Sequence, residues 1–270
     1  MAVFVAFFLF PCSTGHATEA REAEYRVDLT RPGSGEVRVS LSLDSPSSPL
    51  ALEMPDEYGN GLAVDLASHV TGEKAYDASG GEIEVRREGN AWYLEHTGPL
   101  TFTYTVRLNV YTAGTPYLEG LAGEGGTWPY FPYMDEDTAY LPGFAVFVRP
   151  YGAGDLRPTL ELELPEGWRA ATPWNERPES LEDLLGNPLY AGHIEMVERD
   201  SLLVAAPAGA PAATVAGLEE YADRAVSLLA RAEGSLWGLG LPAGRRLLIV
   251  MAFRKEAAGK DGFSGRVLYP

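Results

Sequence analysis

LTFTYTVRLNV (100–110) decides the fold class. Leu100, Phe102, Tyr104, Val106, Leu108 and Val110 lie on one side of an extended chain. Thr101, Thr103, Thr105, Arg107 and Asn109 lie on the other. A side-chain period of two over eleven residues predicts a long strand with one dry and one wet face. It also fixes register, because a slip of one residue would expose the whole apolar set. The same period runs through EYRVDLT (24–30) and EVRVSLSL (36–43), which flank a PGSG turn at 32–35 and read as an antiparallel pair. PLALEM (49–54), EIEVR (82–86), AWYLEH (91–96), GFAVFVRP (143–150), TLELELP (159–165), HIEMVE (193–198) and SLLVAAP (201–207) are further strand candidates. Gly-rich turns such as Ser79-Gly80-Gly81 and Glu88-Gly89-Asn90 separate many of them. The expected fold is mainly β, an antiparallel sandwich or saddle-shaped sheet over residues 18–212.

The pattern changes after PAGAPAAT (207–214), the expected domain boundary. From Val215 to Trp237 the apolar positions step by three and four (Leu218, Tyr221, Ala225, Leu229, Ala232, Leu236), which predicts an amphipathic helix. Glu219 and Glu220 sit near its start, where the dipole favours negative charge, and Glu220 is spaced to pair with Arg224. Gly238 and Gly240 end it, and the apolar strand LLIVMAF (247–253) follows. A helix and strand alone cannot bury both apolar faces, so residues 213–270 read as the incomplete start of a second, α+β domain.

Acidic residues outnumber basic ones by 38 to 21 and give a net charge of −17. A field of that sign repels nucleic acid and anionic membranes, so neither is an expected partner. It serves solubility, or draws a cationic substrate or metal ion to an acidic cleft. AVFVAFFLF (2–10) is too short to span a bilayer and reads as the core of a signal peptide over residues 1–17, cleaved before Thr18. The chain is then exported, periplasmic or extracellular. No Lys or Arg precedes that run, so the start is misplaced or the N-terminal end truncated. Phe10 and Pro11 are poor neighbours for a lipid-anchored Cys12. Removing the leader removes that cysteine, the only one, and with it any disulfide, thiolate metal site or cysteine nucleophile.

No catalytic or metal-binding motif is present. His16, His69, His96 and His193 are too dispersed for H-E-x-x-H, and there is no nucleophile elbow, phosphate loop or dinucleotide turn. His193 and Glu195 share a strand face without a third ligand, so a structural or solvated histidine is expected there. The unusual segment is TWPYFPYMDEDTAY (127–140). Trp128, Tyr130, Phe131 and Tyr133, with Asp135 beside them, are the candidate ligand or interface residues. Rings with polar tips suit either a contact with the next domain or a substrate-facing rim. The acidic triplet Asp135–Asp137 lacks the spaced ligands and glycine of a calcium loop.

The order of these features resembles the N-terminal part of the glycyl aminopeptidase family of zinc metallopeptidases, which commonly carry a PDZ domain. The resemblance rests on YRVDL (25–29), MPDEYGNG (54–61), LASHVTGEKAYDASGGEIEV (66–85), the Trp92 strand, FTYTVRL (102–108) and LELELPEGWRAATPW (160–174). SLWGLGLPAGRRLLIVM (235–251) is similar to the opening of a thermolysin-like catalytic domain, where the family has a helix, an aromatic–Gly turn and an edge strand. AGKDGFSGRV (258–267) falls where the substrate strand would begin but lacks the family's acidic–His pair. No catalytic residue therefore carries over. The resemblance implies an exported aminopeptidase whose zinc, held by two histidines and a glutamate, lies outside this chain. The chain itself would hold no cofactor, flank the cleft that takes a peptide substrate, and be inactive alone. The rivals are a secreted β-sandwich that binds carbohydrate or protein through the 127–140 loop, and an adhesion protein.

Overall fold

The structure is a computed structural model that describes residues 21–44, 46, 48–55, 65–109, 132–151, 156–199, 202–210, 212–233, 247–250 and 268–269. The leader, most of MPDEYGNG, Trp128, Tyr130, Phe131, and 234–246 and 251–267 lie outside the described residues.

The first strands are β1 (Arg21–Asp28) and β2 (Glu36–Leu43), joined by a 3-10 turn at Pro32–Ser34 that ends on Gly35 at φ +65°. Then come β3 (Leu50–Glu53), β4 (Val70–Asp77), β5 (Glu82–Ile83), β6 (Val85–Glu88), β7 (Ala91–Leu94) and β8 (Leu100–Arg107). β9 (Tyr133–Met134) and β10 (Thr138–Pro142) make a hairpin. One helical turn, α1 (Gly143–Val146), leads to β11 (Arg149–Pro150), β12 (Leu156–Glu163) and β13 (Arg169–Ala171). The short helix α2 (Leu181–Gly186) precedes β14 (Pro188–Gly192), β15 (Ile194–Arg199) and β16 (Leu202–Pro207). The long helix α3 (Ala212–Glu233), β17 (Leu247–Val250) and β18 (Leu268–Tyr269) complete the elements.

The strands form a six-stranded sheet, β12-β1-β2-β8-β4-β5, and three four-stranded ones: β11-β3-β7-β6, β13-β14-β10-β9 and β15-β16-β17-β18. The mainly-β expectation holds, with antiparallel pairing predominating. Leu100, Phe102, Tyr104, Val106 and Leu108 are all buried, opposite Val37, Val39, Leu41 and Leu43 of β2. Within the six-stranded sheet one pairing is parallel. β12 pairs parallel with β1 from Arg21↔Leu156 to Asp28↔Glu163, and Arg26 bridges to Glu161 at 2.7 Å.

Two core tyrosines tie the layers together. Tyr25 on β1 donates to the Val148 carbonyl at 2.8 Å. Tyr104 on β8 donates to the Val146 carbonyl at 2.9 Å and accepts from the Val148 N–H at 3.1 Å. Burial pushes both phenols above their usual range, so they stay protonated as donors. The Tyr25 ring meets Phe147 edge-on at 5.2 Å. A second tie comes from a bulge in β4, where Gly72 (φ +67°) and Glu73 together interrupt the pairing with β8. Glu73 accepts from Arg87 at 2.7 Å and from the Trp92 indole at 3.0 Å, joining the six-stranded sheet to β6 and β7.

Three expectations change. GFAVFVRP is not one strand: Gly143–Val146 coils into α1 and only Arg149–Pro150 is extended. EIEVR divides between β5 and β6, which belong to different sheets. Tyr221, placed on the apolar stripe of the helix, is 43% exposed, while Ala222 is buried with Leu218. Arg224 and Glu220 do pair, at 3.5 Å in full solvent exposure, a contact worth little. Among the described residues no helix is long and apolar enough to cross a membrane.

His69, at the end of the 3-10 turn Leu66–His69, gives the fold a dependence on pH. Partial burial, and then the positive Arg107, hold its pKa below the ordinary 6.5. The unfolded chain therefore takes up a proton first as pH falls. Stability from this residue is complete above about pH 6.5 and declines below it. Urea midpoints between pH 7.5 and pH 5 should fall less steeply in His69→Gln than in the parent.

Candidate functional site

The aromatic segment enters the described structure at Pro132, and its neck is built from Asn109. This residue sits at φ +59°, a conformation asparagine tolerates. Its side chain donates to the Met134 carbonyl at 2.7 Å and accepts from the Met134 N–H at 3.1 Å, standing in for a strand partner. The hairpin that follows turns on Asp135, whose carboxylate accepts from the N–H groups of Asp137 (2.9 Å) and Thr138 (2.8 Å). Asp135 thus has a structural task within its own turn. Among the described residues no three His, Cys, Asp or Glu side chains converge to hold a metal ion. The described part of this chain does not fit a zinc site.

Tyr133 and Tyr140 stack at 6.1 Å with their planes 21° apart. Together with Ala171 and Tyr190 they line one face of the β10 sheet. That face is buried against Ile194, Leu203, Ala205, Leu248 and Val250 of the β16 sheet. Burial, with Tyr133 and the Asp135 carboxylate nearby, pushes the Tyr190 phenol up, so it stays neutral. Enclosed and neutral, the Tyr190 phenol packs; it supplies neither a nucleophile nor an acid near pH 7. Of the predicted site residues, the structure therefore places Tyr133 in an interlayer contact and Asp135 at an exposed turn beside it. Trp128, Tyr130 and Phe131 lie outside the described residues. Tyr190 is the member that sequence reading missed. It stands in PLYAG, a strand buried on both faces, where no alternation marks which side chain faces which layer.

His193 marks the passage between the two sheets. Its N–H donates to the Asp137 carbonyl at 2.9 Å, and its carbonyl accepts from the Ala208 N–H at 2.7 Å. The ring lies edge-on to Trp168 at 6.4 Å. Both hydrogen bonds are made by the His193 backbone, and the residue is exposed.

Beyond this junction the β16 sheet has a second apolar face. Leu202, Val204, Ala206 and Ile249 pack on Leu218 and Ala222 of α3. Arg199 of β15 bridges to Asp223 at 2.9 Å on the same helix. β16 and β17 run parallel, from Leu202↔Leu247 to Ala205↔Val250, with α3 as their crossover. Strands β15 and β16, which the sequence reading groups with the β domain, thus share a sheet with β17 and β18.

Comparison with known proteins agrees with this layering. A structure of an aminopeptidase N family protein from Idiomarina loihiensis superposes with a TM-score of 0.61 at 17% identity, which establishes a shared fold. The match covers 84% of this chain and 38% of that one, so the chain spans well under half of its relative's length. An M1 zinc metallopeptidase from Deinococcus radiodurans, solved with a Tyr-Ser-Ala substrate, matches at 14% identity over 86% of this chain and 55% of that one. Its TM-score of 0.44 is too low to bear on the fold. No curated protein matches the sequence. Residues 24–192 match the family profile of the peptidase M61 N-terminal domain, from the middle of β1 to the last residue of β14. By that domain, which takes up well over half of its length, the chain belongs to the M61 peptidase family.

Proposed function

We propose that this chain is the non-catalytic β domain of an exported zinc aminopeptidase, with the first elements of its catalytic-type domain attached. The observation that carries the reading is the place where the family domain ends. The match stops at Gly192, and the next residue leads into a sheet of different make, a parallel pair crossed over by a long helix. A β domain that feeds straight into an α/β layer is suited to form one wall of a cleft whose chemistry lies in the second layer. Glycyl preference, a thermolysin-like catalytic domain and a PDZ domain follow from the sequence resemblance. Zinc would be held by residues outside this chain, and the substrate would be a peptide with a free, cationic N-terminus. The leader at 1–17 supports export to the periplasm or beyond. With Tyr133 and Tyr140 buried, a binding module built on 127–140 gains no further support.

The test compares the 270-residue chain with any longer product of the same gene. Each is incubated with zinc, dialysed and assayed on glycyl and other aminoacyl amidocoumarins. The chain should retain no stoichiometric zinc and release no coumarin. A longer product carrying H-E-x-x-H should do both and stop when chelator is added. Hydrolysis by the 270-residue chain, or chelator-insensitive hydrolysis by the longer one, would overturn the reading.

A further inference from the structure

We propose that the tyrosine-lined face of the β10 sheet is a built-in folding template for the sheet that follows it. The dependence runs one way. Among the described residues, the main core draws only on those between Ala23 and Ala191 and includes none of Tyr133, Tyr140, Ala171 or Tyr190. The β domain therefore closes its own interior without the β16 sheet. The reverse does not hold. The β16 sheet has one face under α3 and the other, bearing Leu203, Ala205, Leu248 and Val250, against the tyrosines. Its central pair, β16 and β17, is parallel and separated by the whole of α3, so it cannot zip up from a local turn. What arrives first is β15, one residue beyond β14, tied to the β9–β10 turn by the hydrogen bond from the His193 N–H to the Asp137 carbonyl. The finished β10 sheet thus supplies both the starting strand and the apolar surface on which the next sheet assembles. The proposal concerns folding alone, so it stands or falls without any peptidase assay.

Hydrogen exchange read by mass spectrometry on the full 270-residue chain tests it. Ala205→Glu sets a charge in the contact from the β16 side, and Tyr190→Ala opens it from the β14 side. In Ala205→Glu, peptides covering 194–199, 202–207, 215–227 and 247–250 should exchange roughly tenfold faster or more. Peptides of β1, β2 and β8 should keep the parent rate. Tyr190→Ala should release the same second group. If α3 and β16 stay protected in both variants, the sheet does not need the template. If β1, β2 and β8 lose protection together with β16 in Ala205→Glu, the two layers fold as one unit and the one-way dependence is wrong.

Discussion

Gly143→Ala should lower the thermal midpoint sharply. A Cβ at this position would lie 2.0 Å from the Leu184 carbonyl oxygen and 2.9 Å from that of Asn187. Both obstacles are backbone, and the Gly143 N–H already donates to the Asn187 carbonyl at 3.0 Å. Nothing flexible can give way, so α1 must separate from α2. The Asp183–Asn187 hydrogen bonds that brace α2 would shift with it. The cost should be on the order of 4 kcal/mol, at the upper end for point substitutions. For a chain of this size that corresponds to a fall of roughly 8–16 °C. Gly186→Ala is the control. It ends α2 with open space around it and should change the midpoint little or raise it. Equal melting of the two variants would show that the α1–α2 approach is looser than described.

Tyr104→Phe should be nearly as damaging, although it removes a single oxygen. Without the phenol, the Val148 N–H and the Val146 carbonyl lose their partner inside the core. Leaving two buried backbone groups unpaired costs about 2–3 kcal/mol in total. Tyr25→Phe leaves only the Val148 carbonyl without its donor and should cost about 1 kcal/mol. The order of the two in chemical denaturation is the informative result. A milder effect for Tyr104→Phe would mean that water reaches the 146–148 segment.

Where one face of a strand is wet, sequence alone was enough to read it. β2 coincides with EVRVSLSL, and Leu100 to Leu108 show the predicted inward set, Val110 lying outside the described residues, because polar and apolar environments alternate at the pitch of the backbone. The unread strands fail for stated reasons. β4 carries VTGEKAYD, and its bulge at Gly72–Glu73 breaks the period midway. β10 and β14 lie between two cores, with Ala139, Leu141, Leu189 and Ala191 turned to one and Tyr140 and Tyr190 to the other. A strand buried on both faces has no alternation to find. Conversely, GFAVFVRP has enough apolar residues for a strand, yet its first four form a helical turn because Gly143 must pass close to α2. For the aromatic segment, composition pointed to a contact with the next domain or a substrate-facing rim. Which layer Tyr133 and Tyr140 meet depends on β15–β17, more than fifty residues downstream, and no local pattern carries that information.

The parallel partner of β1 has a consequence for biosynthesis. β1 finds β2 within a few residues, but its other edge waits for β12, which ends at Glu163. A ribosome adds roughly 5–20 residues per second, so the gap between Asp28 and Glu163 takes on the order of 7–27 s. Throughout that interval the outer edge of β1 stays bare, open to pairing with any neighbour. The nascent polypeptide is thus most vulnerable to mispairing at its beginning, and only synthesis past residue 163 closes the gap.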